Sequence, residues 1–122
     1  MNAKEPNAKR ITDLSYLASI CDDDPVFKQE MIETFLKNTP PMIHEMKDLA
    51  KISEWKKVGD IAHKIKPSIT FMGIHSAKDL ILDLEKNGRQ HEETDKIASM
   101  VNRFEEICNM AFAELLEELR DL

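Results

Sequence analysis

The chain reads as all-α: an antiparallel four-helix bundle with a short additional N-terminal helix. Three observations carry that expectation. Apolar residues recur every three or four positions through most of the chain, the period of a helix and not the alternation of a strand. Only three of the 122 residues are glycine and one is tyrosine, which leaves few candidate strands. Four long amphipathic segments joined by short turns can cover one another's apolar stripes only as a bundle. At this length one core is expected, in a single domain over residues 11 to 122.

Residues 1 to 10 are polar and aperiodic and read as a flexible arm. A short helix follows, with Thr12 or Asp13 as its N-cap and Leu14, Leu17 and Ile20 inward. Asp22-Asp23-Asp24-Pro25 stops it and starts the next, because carboxylates cap a helix and proline suits its first turn. The second helix is expected to bury Phe27, Met31 and Phe35. Thr39-Pro40-Pro41 then predicts a kink or a fresh start capped by Thr39, since two backbone donors are missing. The pattern resumes with Met42, Ile43, Met46, Leu49 and Ala50.

Ser53 is the expected N-cap of the third major helix, whose stripe is Trp55, Val58, Ala62, Ile65, Ile69 and Met72. Gly73 closes it in the left-handed conformation. Ser76 and Asp79 resemble a capping box for a fourth helix that buries Ala77, Leu80, Ile81 and Leu84 and stops at Asn87-Gly88. The last helix runs from about Thr94 to the C-terminus on Ile97, Val101, Phe104, Cys108, Ala111, Leu115 and Leu119. The methionines (Met31, Met42, Met46, Met72, Met100, Met110) read as core filling.

Net charge of −6 argues against nucleic acid as a partner, because a phosphate backbone needs a basic surface. The charge is uneven. Residues 92 to 122 hold nine acids against three bases, whereas residues 47 to 66 hold six lysines against Asp48, Glu54 and Asp60. Cys21 and Cys108 follow no metal or redox spacing and read as free core thiols in a reducing compartment. No run approaches the roughly 20 apolar residues of a membrane span, and the N-terminus lacks a signal-peptide core. A cytoplasmic protein with no membrane partner is expected.

One side chain stands apart from the packing pattern. His63 lies roughly 130° from the buried stripe of its helix at 100° per residue, and so faces solvent. Lys66 follows one turn on, Thr70 one turn beyond, and no acid occurs between Asp60 and Asp79. Neutral imidazole is a nucleophile near neutral pH, and a lysine one turn away can offset the charge of an arriving anion. Lys64 is further round and adds only long-range field. His44, His75 and His91 read as ordinary surface or partly buried histidines, and no histidine pairing has zinc spacing.

Ala62-His63-Lys64-Ile65-Lys66-Pro67-Ser68, with Gly73 ten positions after the histidine, resembles the signature of histidine-containing phosphotransfer (HPt) domains. Asp23-Asp24-Pro25 and the Phe35-Leu36-x-x-Thr39-Pro40 stretch fit the same family, over about residues 11 to 120. The resemblance implies a four-helix bundle whose surface histidine carries a phosphoryl group between receiver-domain aspartates. His63 is then the phospho-acceptor, Lys66 the phosphate-stabilising cation and Gly73 the helix terminator. Glu85 falls where the family often has a polar residue near the histidine. Lys64, Pro67 and Thr70 are supporting or docking candidates, and Ile74 and the Pro67 ring are candidates for an apolar docking patch.

Pro67 departs from the family's glycine at that position. It cannot donate to the His63 carbonyl and costs about 3 kcal/mol in a regular helix. A local kink between His63 and Pro67 is therefore predicted. The implied partners are response-regulator receiver domains or a hybrid sensor histidine kinase, met by a monomer. No cofactor or metal is expected on this chain, and the divalent cation of such transfers is expected in the receiver. With no Gly-rich loop, Walker motif or kinase signature, the chain reads as a relay and not a phosphoryl source. The competing reading is a non-catalytic adaptor that binds receivers without taking phosphate.

Overall fold

The computed structural model describes residues 10–122. The proposed arm therefore lies outside the described residues except for Arg10, whose guanidinium reaches Thr12 Oγ1 and Glu118 Oε1, both at 3.3 Å. The order of elements is α1 (Ser15–Ile20), α2 (Pro25–Lys51), α3 (Trp55–Phe71), a single 3₁₀ turn (His75–Ala77), α4 (Lys78–Gln90) and α5 (Thr94–Arg120).

Helices α2 to α5 close a ring in which α2 touches α3 and α5, and α4 touches the same two. Neighbours run antiparallel. Along α3 and α4, Gly59 lies against Arg89, His63 against Glu85 and Thr70 beside Lys78. Across α2 and α5, Lys28 pairs with Glu118, Phe35 meets Phe112 and Lys47 pairs with Glu105. The enclosed core is continuous, with Leu17, Ile32, Met46, Val58, Ile65, Leu84, Ile97, Phe104 and Leu115 among its fully buried members. The all-α bundle with a short first helix is thus the observed fold.

Segment α1 seals one end of this ring. The Asp13 amide donates to the carbonyls of Met72 and Gly73, and Tyr16 stacks on Phe71 with ring centroids 5.8 Å apart. Asp13 also accepts from the amide and hydroxyl of Ser15. The N-cap of α1 is Leu14, without a side-chain bond, and not Asp13 or Thr12. Thr12 is buried, and Glu114 on α5 takes its amide, its hydroxyl and the Ile11 amide, all within 2.8 Å. At the start of α2, Asp24 accepts from the amides of Val26 and Phe27, with Pro25 in the first turn, as the sequence predicts.

Four helices, α1 to α4, end in one local solution. After each a residue turns left-handed (Asp22 at φ 52°, Ser53 at 60°, Gly73 at 62°, His91 at 55°). The next amide then reaches back to the carbonyl of Ala18, Leu49, Ile69 or Asn87. Several expectations change accordingly. Ser53 terminates α2 and does not cap α3, whose N-cap Glu54 makes no side-chain bond. Ile74, the residue after the Gly73 turn, is fully buried with Ile69 and cannot be part of an exposed patch. Ser76 and Asp79 form no capping box, since Ala77 occupies the N-cap.

The prolines do not interrupt α2. Pro40 and Pro41 lie inside it, and Thr39 is buried in the middle of a stripe formed by Ile32, Phe35, Ile43, Met46 and Ala50. That stripe keeps one helical register on both sides of the prolines, so packing overrides the local penalty. The register also turns Phe27 outward, leaves Met31 half-buried, and at α1 turns Ile20 outward. Met110 on α5 is exposed rather than core filling.

Asn87-Gly88 does not stop α4 either. A Cβ on Gly88 falls 2.6 Å from the Trp55 carbonyl and 2.7 Å from the Gly59 amide, so glycine here serves the close approach of α3 and α4. A Gly88→Ala substitution should cost about 1–3 kcal/mol by forcing the two helices apart. Exposed Lys86→Ala on the same helix should stay within about 0.5 kcal/mol. Urea denaturation of the two variants checks this, and equal small losses would refute the close-approach assignment.

Candidate functional site

Helix α3 presents its apolar stripe inward, with Val58, Ala62, Ile65 and Ile69 buried and Trp55 half-buried. The opposite consequence of the same period is that His63 stays open, its side chain 53% exposed. Pro67 does not end the helix, which continues to Phe71. Buried Ile65 and Ile69 flank the proline and hold that turn in place.

The carboxylate missing from the neighbouring sequence arrives from α4. Glu85 Oε2 lies 2.8 Å from His63 Nδ1, and Glu85 Oε1 accepts from Lys66 Nζ at 2.7 Å. Arg89, one turn along α4, donates from Nη1 to the same Oε2 at 3.0 Å and from Nε to Asp60 Oδ1 at 2.9 Å. Lys56 holds the second Asp60 oxygen at 3.2 Å. The site is therefore a row of alternating charges that begins on α3, crosses to α4 and returns: Lys56, Asp60, Arg89, Glu85, Lys66, with the imidazole at its outer edge.

The glycine contact places this row. A Cβ on Gly59 falls 2.8 Å from the Arg89 amide and 2.9 Å from the Glu85 carbonyl. Gly59 precedes His63 by one helical turn, and Gly88 follows Glu85 by three residues. Backbones that touch there bring Glu85 within one hydrogen bond of the imidazole.

Glu85 is only 16% exposed, and the Lys66 ammonium, followed by the His63 hydrogen bond, holds its carboxyl below the ordinary value against the opposing effect of burial. Asp60 is likewise lowered, first by Arg89 and then by Lys56. An ionised carboxylate only accepts hydrogen bonds. The Nδ1 of His63 is therefore the donor, and in the neutral ring the lone pair sits on Nε2. That leaves a nucleophilic nitrogen on a half-open ring, with its orientation set from the opposite edge.

The sequence-predicted residues divide in three. His63, Lys66 and Glu85 meet directly. Pro67 and Thr70 line a groove of about 260 Å³ between α3 and α4, with Lys66, Lys78, Ile81 and Leu82. Lys64 instead lines a separate groove against α2, beside Met31 and Met42, and Gly73 stands at the helix end against the Asp13 carbonyl. His44 pairs with Asp48 and His75 with Asp13 on the surface, and His91 is an exposed turn residue. Arg89 and Asp60 were not singled out from the sequence. The sequence signals for them are the four-residue spacings of Glu85 with Arg89 and of Lys56 with Asp60, each of which puts its pair on one helix face.

Among the described residues no group of three or more His, Cys, Asp or Glu gathers as a metal site, and no helix is long and apolar enough to cross a membrane. Cys21 and Cys108 are free and buried, and burial pushes the Cys108 thiol up to about 12.

The site is thus an exposed helical histidine, hydrogen-bonded to a carboxylate that also holds a lysine, on a four-helix bundle. The family model of the Hpt domain matches residues 30–122, from the first turns of α2 to the C-terminus, and the chain belongs to that family. Membership assigns it to phosphotransfer in two-component signalling. No curated protein and no solved structure matches the chain.

Because Glu85 is held below its ordinary value of 4.5 in the fold, the unfolded chain binds more protons as the solution is acidified. Its contribution to stability is complete above about pH 4.5 and is lost as pH falls through the lowered folded value. The difference in thermal midpoint between wild type and Glu85→Gln should therefore shrink from pH 7 toward pH 3. A difference that stays constant over that range would exclude the ion pair as its source.

Proposed function

We propose that the chain is a phosphorelay intermediate that accepts a phosphoryl group on His63 and passes it to a response-regulator aspartate. The donor is a phospho-aspartyl receiver domain, free-standing or part of a hybrid sensor histidine kinase. The observation that carries this reading is the bond from His63 Nδ1 to Glu85 on a ring still half open to solvent.

In the forward step, Nε2 of His63 attacks the phosphorus of the aspartyl phosphate. The Nε2–P bond forms as the P–O bond to the aspartyl carboxyl breaks, and the carboxylate leaves with that electron pair. Nδ1 keeps its proton, shared with Glu85, which offsets the positive charge that the ring acquires. The phosphoryl group carries close to two negative charges, and Lys66 is the cation with the reach to meet it. The reverse sequence, with a second aspartate as nucleophile, delivers the group onward.

The divalent cation used in such transfers is assigned to the receiver. Glu85, the carboxylate nearest the histidine, has its oxygens taken by three donors and offers a poor ligand set here. The groove beside Pro67 and Thr70 is the proposed docking margin. A monomer acting in the cytoplasm fits this role.

Incubation with a phosphorylated receiver should move label to the chain in an acid-labile, base-stable form. His63→Gln should abolish that transfer, and a variant labelled as well as wild type would sink the assignment. A chain that binds the receiver and stays unlabelled would instead be the adaptor. Lys66→Ala should slow transfer about tenfold, equivalent to one charge contact of about 1.4 kcal/mol in a solvent-accessible site. Stopped-time labelling of that variant at fixed receiver concentration measures the loss.

A further inference from the structure

The geometry points to Arg89 as a positioning residue that acts through Glu85: it keeps that carboxylate paired and aimed at His63, so that Lys66 is free to move to an arriving phosphoryl group. This rests on the relay reading above and adds to it a division of labour between two cations.

Both cations touch Glu85, but they are held differently. Arg89 is gripped at two points, its Nε by Asp60 on α3 and its Nη1 by Glu85 on its own helix. Asp60 is itself tied to Lys56. A planar guanidinium bound in this way cannot swing to a new anion without giving up both bonds. Lys66 has a single bond, to Glu85 Oε1, at the end of a flexible stem.

The charge balance at Glu85 makes the difference matter. If Lys66 were its sole counter-ion, moving that lysine to a phosphoryl group on Nε2 would leave a largely buried carboxylate unpaired beside a new dianion. The cost would fall on the loaded state and hold Lys66 back. With Arg89 on Oε2, Glu85 remains paired after Lys66 departs, and Nδ1 keeps its acceptor. A direct phosphate ligand or a merely structural arginine would behave otherwise, because neither depends on the charge of Glu85.

The test uses phosphoramidate as a partner-free phosphoryl donor on the full chain. Nε2 bonds to phosphorus as the P–N bond breaks, and the already protonated nitrogen leaves as ammonia. Phosphorylation rates are compared for wild type, Arg89→Gln, Glu85→Gln and the double variant, with ³¹P NMR as readout. Arg89→Gln should slow the reaction by about fivefold or more in the wild-type background and by less than about twofold beside Glu85→Gln. Equal slowing in both backgrounds overturns the proposal. If Arg89→Gln does not fold, Arg89→Met, which removes the charge and keeps the length of the stem, is read in the same two backgrounds by the same criterion.

A second readout is independent of transfer. In ¹⁵N NMR of the His63 ring, Arg89→Gln should shift the tautomer population from Nδ1–H toward Nε2–H. Wild-type protein that takes no phosphoryl group from phosphoramidate or from a phosphorylated receiver removes the relay reading alone. The ring nitrogens then decide on Arg89, and an unchanged tautomer population overturns the positioning role.

Discussion

A single carboxylate, Glu85, organises the charged face shared by α3 and α4, and its position depends on how closely the two helices approach. It is mostly buried, it is ionised, and it answers to three donors on two helices. A charge in that environment is tolerable only when its partners are already in place. The partners are in place because α3 and α4 touch backbone to backbone at Gly59 and Gly88. The electrostatics of the site is thus built on a steric feature one helical turn away.

The same structure shows how far packing can override local backbone preference. Proline inside a helix costs about 3 kcal/mol, and this chain places it there at Pro40, Pro41 and Pro67. A fully buried isoleucine or phenylalanine contributes about 1.5–3 kcal/mol. Ile32, Phe35, Ile43 and Met46 flank the first pair, and Ile65 and Ile69 flank the third. Several such side chains on one register exceed the penalty, and both helices continue. For α3 this keeps His63 and Lys66 on one continuous helix.

Charge is distributed to match. The acidic α5 is drawn to α2 by Lys28–Glu118 and Lys47–Glu105, and Glu114 takes the amides of the segment before α1. Those acids are partly used up in holding the bundle together. The lysines of α3 stay on the outer face, where Lys66 and Lys56 join the row that includes the histidine and Lys64 faces a neighbouring groove. An anionic group approaching α3 therefore meets locally positive helix on a protein of negative net charge.

By itself the sequence determined the class of fold, the number of long helices, the buried stripe of α3, and the exposure of His63 with Lys66 beside it. These follow from a period of 3.6 residues and need no knowledge of any neighbour. It also carried the Asp24-Pro25 start and the Gly73 stop, which are local backbone chemistry. Only the tertiary structure decided where Glu85 and Arg89 point, that Gly88 is a contact and not a stop, that Ile74 is buried, and that the prolines are absorbed. Each of those depends on which helix lies alongside and how near. Periodicity along one chain fixes a residue's direction from its own axis, but distance to a second axis is set by the packing of the whole bundle.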